Sequence, residues 1–192
     1  RSGYTADQVA YMILRNAGIT DVSIHHIPGD LTDNYNPREH TLNLSDKVYG
    51  SRSIAAIGVA AHECGHAIQH ARHYVPLTVR SAIIPAANIG SSFAWPLVLI
   101  GLIIPRLNFC MTIGILLFSL VVILQLVTLP VEFNASRRAI QIIRDSGYLA
   151  PDELKGAKSV LKAAAMTYVA AMVSVSLQLL RLVILRNSRD DN

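Results

Sequence analysis

Two stretches without a single charged side chain, Ala82 to Ile104 and Leu107 to Val131, are separated only by Pro105-Arg106. A helix needs about 20 residues to cross the roughly 30 Å hydrocarbon core of a bilayer, and each stretch is long enough. Together they predict a transmembrane helical hairpin over approximately 82–104 and 107–129, with the lipid bilayer as a partner. Composition agrees: 52% of the 192 residues are hydrophobic and 16% are charged, against about a quarter charged in ordinary soluble domains. The first leg is interrupted by Pro85, Asn88, Ser91, Ser92 and Pro96, whereas Cys110 to Leu129 is almost unbroken Ile, Leu and Val. Trp95 reads either as an interfacial anchor or as a packed aromatic. Ala163 to Leu180 is also uncharged, so 163–185 is a candidate third span or part of a long helix covering the polar domain.

Charge then suggests an orientation. Arg72, Arg80, Arg137, Arg138 and Arg144 flank the open end of the hairpin, and Arg106 alone marks its tip. By the positive-inside tendency the open end faces the cytoplasm. The net charge of +4 is spread over short segments with no basic stripe interleaved with aromatics, which excludes nucleic acid as a partner to look for.

The remaining sequence reads as one small, mainly helical domain with a little sheet, so that 1–192 forms a single membrane-embedded domain. Thr5 to Ala17 is helical, with Thr5 and Gln8 at its start and Gly18 at its end. Asp21 to Ile27 and Thr41 to Leu44 read as strands around Pro28-Gly29-Asp30 and the polar loop Thr32 to Pro37, forming a small sheet or hairpin. A free edge at Thr41-Leu42-Asn43-Leu44 would suit a peptide added as a strand. Ser53 can cap a helix that runs to about His70. Glu132 opens a further helix ending near Gly147, and Pro151 with Asp152 and Glu153 starts the last one. The chain begins at Arg1 without an initiator Met, which suggests that a leading segment is missing.

Within the helix after Ser53 stands Ala61-His62-Glu63-Cys64-Gly65-His66-Ala67. Residues four apart share a helix face, so the His62 and His66 imidazoles can reach one ion. Glu63, about 100° around the helix from His62, is left beside that ion as a general base. H-E-x-x-H on a helix is the pattern of zinc-dependent hydrolysis, and a catalytic zinc site takes a third protein ligand while leaving one position open. Glu132 is the candidate: an isolated acid directly after an uncharged run, where an unpaired carboxylate would be costly. A helix-start ion pair is the other reading of that acid.

Other candidates carry less. Cys64 faces away from both histidines and reads as a small packing residue; Cys64 and Cys110 form no disulfide or thiolate pattern. His70 continues the stripe but sits a helical turn, about 6 Å, further along, and is a poor fourth ligand. His25, His26, His40 and His73 read as solvated. Tyr168 reads as a core tyrosine or as a hydrogen-bond donor to a developing oxyanion.

These residues together closely resemble one family, the bacterial membrane neutral zinc metallopeptidases known as YugP-like. The resemblance covers almost the whole chain and rests on Leu31 to Pro37, Leu44 to Ala56, Ala60 to His70, Thr128 to Ser136 and Ala163 to Ala171. It implies a zincin core of the gluzincin kind fused to the membrane helices, in a multi-pass protein of the bacterial plasma membrane, with another apolar helix ahead of Arg1. It also implies one zinc ion on His62, His66 and Glu132, with Glu63 as the catalytic base, and a protein or peptide substrate that is membrane-associated or misfolded. More distantly, the order of motif, apolar hairpin and glutamate is similar to HtpX-type membrane proteases and CAAX prenyl endoproteases, whose ligand opens a Glu-x-x-Ala-Asp pattern. Here Ser136 stands at the Asp position, a weaker hydrogen-bond acceptor for a ligating histidine. A zinc-binding scaffold without turnover is the alternative reading, and a metal transporter or sensor is a further one. Polar residues within Leu107 to Leu129 are too few to line an ion path well.

Overall fold

The computed structural model describes residues 3–190. In chain order the elements are helix α1 (Ala6–Asn16), strands β1 (Ser23–His26), β2 (Asn34–Asn36) and β3 (Thr41–Leu44), then helices α2 (Ile54–Ala71) and α3 (Val75–Ile103), a 3-10 turn at Pro105–Leu107, and helices α4 (Asn108–Ser146) and α5 (Pro151–Asp190). The fold is therefore mainly helical with one small sheet. The described residues form two compact units, one of residues 3–74 and 131–165, the other of residues 75–130 and 166–190.

The first unit is built around α2. Its N-terminus is capped by Ser53, whose side chain accepts from the Ala56 N–H at 3.1 Å, satisfying a donor that has no partner inside the helix. Ala56, Ile57, Ala60, Ala61, Cys64, Ala67 and Ile68 are all buried. Such a helix is covered on several sides, and small residues set how close its neighbours come. The Cys64 thiol points at the Ala10 carbonyl of α1. Beside Gly58, a Cβ would sit 3.8 Å from Ala157 of α5. At Gly65 a Cβ would fall 2.5 Å from the Ala135 carbonyl oxygen of α4, so only glycine permits that approach. α1 is held by its own sequence signals: the Thr5 N–H donates to the Gln8 side chain at 3.0 Å, and Gly18 leaves the helix at a φ of 76°, as expected for a glycine after a helix end.

The sheet has the order β1-β3-β2. β1 runs parallel to β3 with Ser23 opposite Thr41, and β2 runs antiparallel to it with Asn34 opposite Asn43. The polar segment Thr32 to Pro37, read as a loop, thus contains a strand. This corrects the expectation of a free edge at Thr41 to Leu44. Those residues form the central strand, with their backbone bonds taken on both sides and Leu42 and Leu44 buried. Three-residue β2 is too short and too polar to stand out by alternation; it is tied instead through Asn43 donating to Asn34 at 3.0 Å.

The second unit contains the apolar helices. α3 continues through Pro85 and Pro96 without a break and begins earlier, at Val75. Glycines bring it against the first part of α4. A Cβ at Gly101 would meet Met111 at 2.5 Å, one at Gly114 the Ala94 carbonyl at 2.7 Å, and one at Gly90 the Leu117 carbonyl at 2.8 Å. The descending and ascending numbers define an antiparallel hairpin joined by the turn at Pro105–Leu107. Trp95 lies edge-on to Phe118 at 6.3 Å between centroids and is 40% exposed.

Among the described residues, three helical segments are long and apolar enough to cross a membrane: Val75–Ile103, Pro105–Ser146 and Pro151–Ser188. Two boundaries differ from the sequence reading. The second predicted leg, 107–129, and the separate helix from Glu132 to Gly147 are one helix, α4, with Pro130 inside it. A proline there removes one backbone hydrogen bond without ending the helix, as apolar helices tolerate. The last helix, α5, contributes to the cores of both units. Ala157 and Leu161 belong to the core of the first unit, and Leu182 to that of the second.

Candidate metal centre

The site is assembled in the first unit from α2 and from residues 131–146 of α4. His62 and His66 lie one turn apart on α2, their rings 4.8 Å apart between centroids and nearly perpendicular. The close approach at Gly65 brings α4 alongside between them, and Glu132 reaches both. Its Oε2 is 3.0 Å from His62 Nε2 and 3.5 Å from His66 Nε2. The side chains are nearly enclosed, with 15%, 12% and 3% of their surface exposed for His62, His66 and Glu132.

One ligand atom from each of the three residues lies within 4.8 Å of the others. For a tetrahedral zinc site with bonds of about 2.0–2.1 Å, neighbouring ligand atoms stand about 3.3 Å apart. The observed 3.0 and 3.5 Å straddle that value. Donor chemistry fits as well, since two imidazoles and one carboxylate are ligands that zinc accepts. The far nitrogens are also engaged, as they are in ligating histidines. His62 Nδ1 is 3.0 Å from Ser136 Oγ, and His66 Nδ1 is 3.0 Å from Gln69 Oε1. In each ring Nδ1 faces a partner away from the cluster, and Nε2 faces the shared centre.

Glu63 stands beside this group. Its carboxyl is pushed above the usual carboxylate range by burial, against the pull of the His66 and His62 rings and with the Glu132 and Asp33 charges adding to the rise. All four groups are therefore within electrostatic reach of it. For His66, burial disfavours the charged ring, but the hydrogen bond with Glu132 and the nearby carboxylates outweigh it and raise the pKa. Asp33 is held by Ser45, whose N–H and hydroxyl both donate to it at 2.8 Å. Cys64 is buried, with its thiol pushed far up by desolvation, in keeping with a packing role.

Other histidines have partners of their own. His70 bonds through Nδ1 to the Tyr35 hydroxyl of β2 at 3.0 Å and is not in the ligand cluster. His25, His26 and His40 pair with Ser23, Asp46 and Asp21. Tyr168 falls on α5 in the second unit. Sequence reasoning missed Gln69, a fully buried amide three residues beyond His66. Its signal was an uncharged amide three residues after His66, on the helix face that carries the motif.

A family described as "Putative neutral zinc metallopeptidase" matches residues 1–187. The "Putative membrane protease YugP" of Bacillus subtilis (strain 168) is 47% identical over 192 residues, covering 100% of this chain and 85% of that protein. No solved structure matches the chain. With a family match over nearly its full length and two histidines and a glutamate gathered at one point, this chain belongs to the neutral zinc metallopeptidase family.

Proposed function

We propose that the protein is a membrane-bound, zinc-dependent endopeptidase in which His62, His66 and Glu132 hold one zinc ion and Glu63 is the catalytic base. The observation that carries the reading is the convergence of the three donor atoms within 4.8 Å of one another. A bound zinc ion supplies Lewis acidity, polarising a carbonyl and making water acidic near neutral pH.

The chain's own residues do the rest. Ser136 and Gln69 hold the two rings by their Nδ1 atoms. Glu63 takes a proton from the attacking water on one carboxylate oxygen and delivers it to the leaving amine nitrogen. We read 1–192 as one peptidase domain with a core of the gluzincin kind. Because β3 is central, a substrate strand would have to pair at β1 or β2. The basic residues at the open end of the hairpin support a site facing the cytoplasm of a bacterial plasma membrane. A substrate drawn from membrane-associated or misfolded proteins suits a peptidase with apolar helices.

The deciding experiment compares wild type, Glu63→Gln and Glu132→Ala for zinc content and for cleavage of an unfolded protein such as casein. Glu63→Gln is expected to keep its zinc and lose at least about a hundredfold in rate, the low end of what a positioned base contributes. Glu132→Ala is expected to lose both zinc and activity. Zinc bound by wild type with no cleavage would instead favour the non-catalytic scaffold.

A further inference from the structure

Gln69 is 0% exposed and joins the two helices that carry the site. Its Oε1 is 3.0 Å from His66 Nδ1, and its Nε2 donates to the Val131 carbonyl at 2.8 Å and to Asn134 Oδ1 at 3.0 Å. Asn134 Oδ1 also accepts from Arg138 Nε at 2.7 Å. The two ends of this chain of bonds cannot be reversed. A main-chain carbonyl only accepts, and a guanidinium only donates.

Every polarity between those ends follows. Arg138 requires an oxygen from Asn134, and that oxygen together with the Val131 carbonyl requires the nitrogen of Gln69. The Gln69 oxygen is then turned toward His66. Without a metal, His66 Nε2 also faces an acceptor, the Glu132 carboxylate at 3.5 Å; a metal on Nε2 displaces any hydrogen there, and the ring then keeps the hydrogen on Nδ1 that the Gln69 oxygen accepts. The reversed amide would present N–H to Nδ1 and favour the tautomer with hydrogen on Nε2, which cannot bind a metal.

We propose that Gln69 is a positioning residue that locks His66 in its metal-binding tautomer, and that Asn134 and Arg138 set its polarity from outside the cluster. This rests on the zinc reading above. It adds a coupling: the same amide that orients a histidine of α2 grips α4 one residue before Glu132.

The test is zinc affinity of the full chain in detergent micelles, by competition with a chromophoric chelator, with the melting temperature of the metal-free protein measured alongside. Gln69→Met, similar in shape but unable to accept or donate in this way, is expected to bind zinc about ten- to a hundredfold more weakly, the range for lost partners of ligating histidines. Asn134→Asp, which still accepts from both donors, is expected to stay within about threefold of wild type, whereas Asn134→Leu falls about tenfold. A purely structural role would lower the melting temperature of the metal-free protein and leave the affinity of its folded fraction unchanged.

Wild-type affinity in Gln69→Met would overturn the proposal. So would equal losses in Asn134→Asp and Asn134→Leu, a comparison that still decides if Gln69→Met does not fold. If Glu132→Ala leaves wild-type zinc affinity untouched, the metal site itself is wrong and the inference falls with it. An effect of Glu132→Ala with none from Gln69→Met refutes the inference alone.

Discussion

At the scale of single residues, the site depends on what each imidazole meets on its far side. His62 and His66 share a helix and a carboxylate, yet their outer partners differ in strength. A serine hydroxyl holds His62 and a buried amide holds His66. A carboxylate accepts from an imidazole N–H more strongly than a hydroxyl does. Ser136→Asp is therefore expected to tighten zinc binding by about tenfold, and Ser136→Ala to weaken it by a similar factor, within the range that such outer partners command. Chelator competition on the purified variants checks both. No gain from the aspartate would mean that the hydroxyl is already sufficient or that the added charge does not reach Nδ1. The pairing of His62 with His66 and the place of Glu63 beside them were readable from H-E-x-x-H because helix geometry alone fixes their relation. Gln69 was not, because its importance comes from α4, more than sixty positions away.

At the scale of elements, the decisive contact is the crossing of α2 and α4 at Gly65 and Ala135. Two glycines of α2 make a controlled pair. A methyl at Gly65 would lie 2.5 Å from a backbone oxygen, whereas one at Gly58 would lie 3.8 Å from its nearest neighbours. Gly65→Ala is expected to force the helices apart, destabilise the fold by about 1–3 kcal/mol and weaken zinc binding with it. Gly58→Ala is expected to be neutral or to stabilise by up to about 1 kcal/mol, since alanine is the better helix former. Thermal unfolding of the two variants in one detergent gives the comparison, and equal midpoints would show that α4 does not press on α2 at Gly65. The strands teach the opposite lesson. β3 was legible from its alternation, but its central place was not, because β2 owes its pairing to asparagine contacts rather than to an apolar pattern.

At the scale of the whole molecule, three apolar helical segments and the distribution of arginines make a topology that labelling can test. Cys64 and Cys110 are buried, so a thiol introduced at an exposed position reports that position. With the open end of the hairpin cytoplasmic, Arg106→Cys at the turn is expected to react with a membrane-impermeant maleimide in intact bacterial cells. Arg144→Cys, near the end of α4, is expected to react only after permeabilisation. The reverse pattern would place the metal centre on the outer side of the membrane. α5 shows why such chains are hard to divide by eye. One helix supplies Ala157 to the core beside α2 and Leu182 to the apolar helices, and its sequence has no break to mark the change.

The sequence by itself determined the apolar segments, the motif helix with its cap, and three of the residues placed at the metal centre, because length, charge and helical periodicity are local properties. It also pointed to Glu132, since a lone acid after an uncharged run needs a partner. Only the tertiary structure decided that the partner is the His62 and His66 pair, that Thr41 to Leu44 is central in the sheet, and that a buried amide holds one imidazole. Each of these depends on how near two distant segments come, which steric fit at a glycine and hydrogen-bond polarity at a carbonyl fix only after the chain has folded.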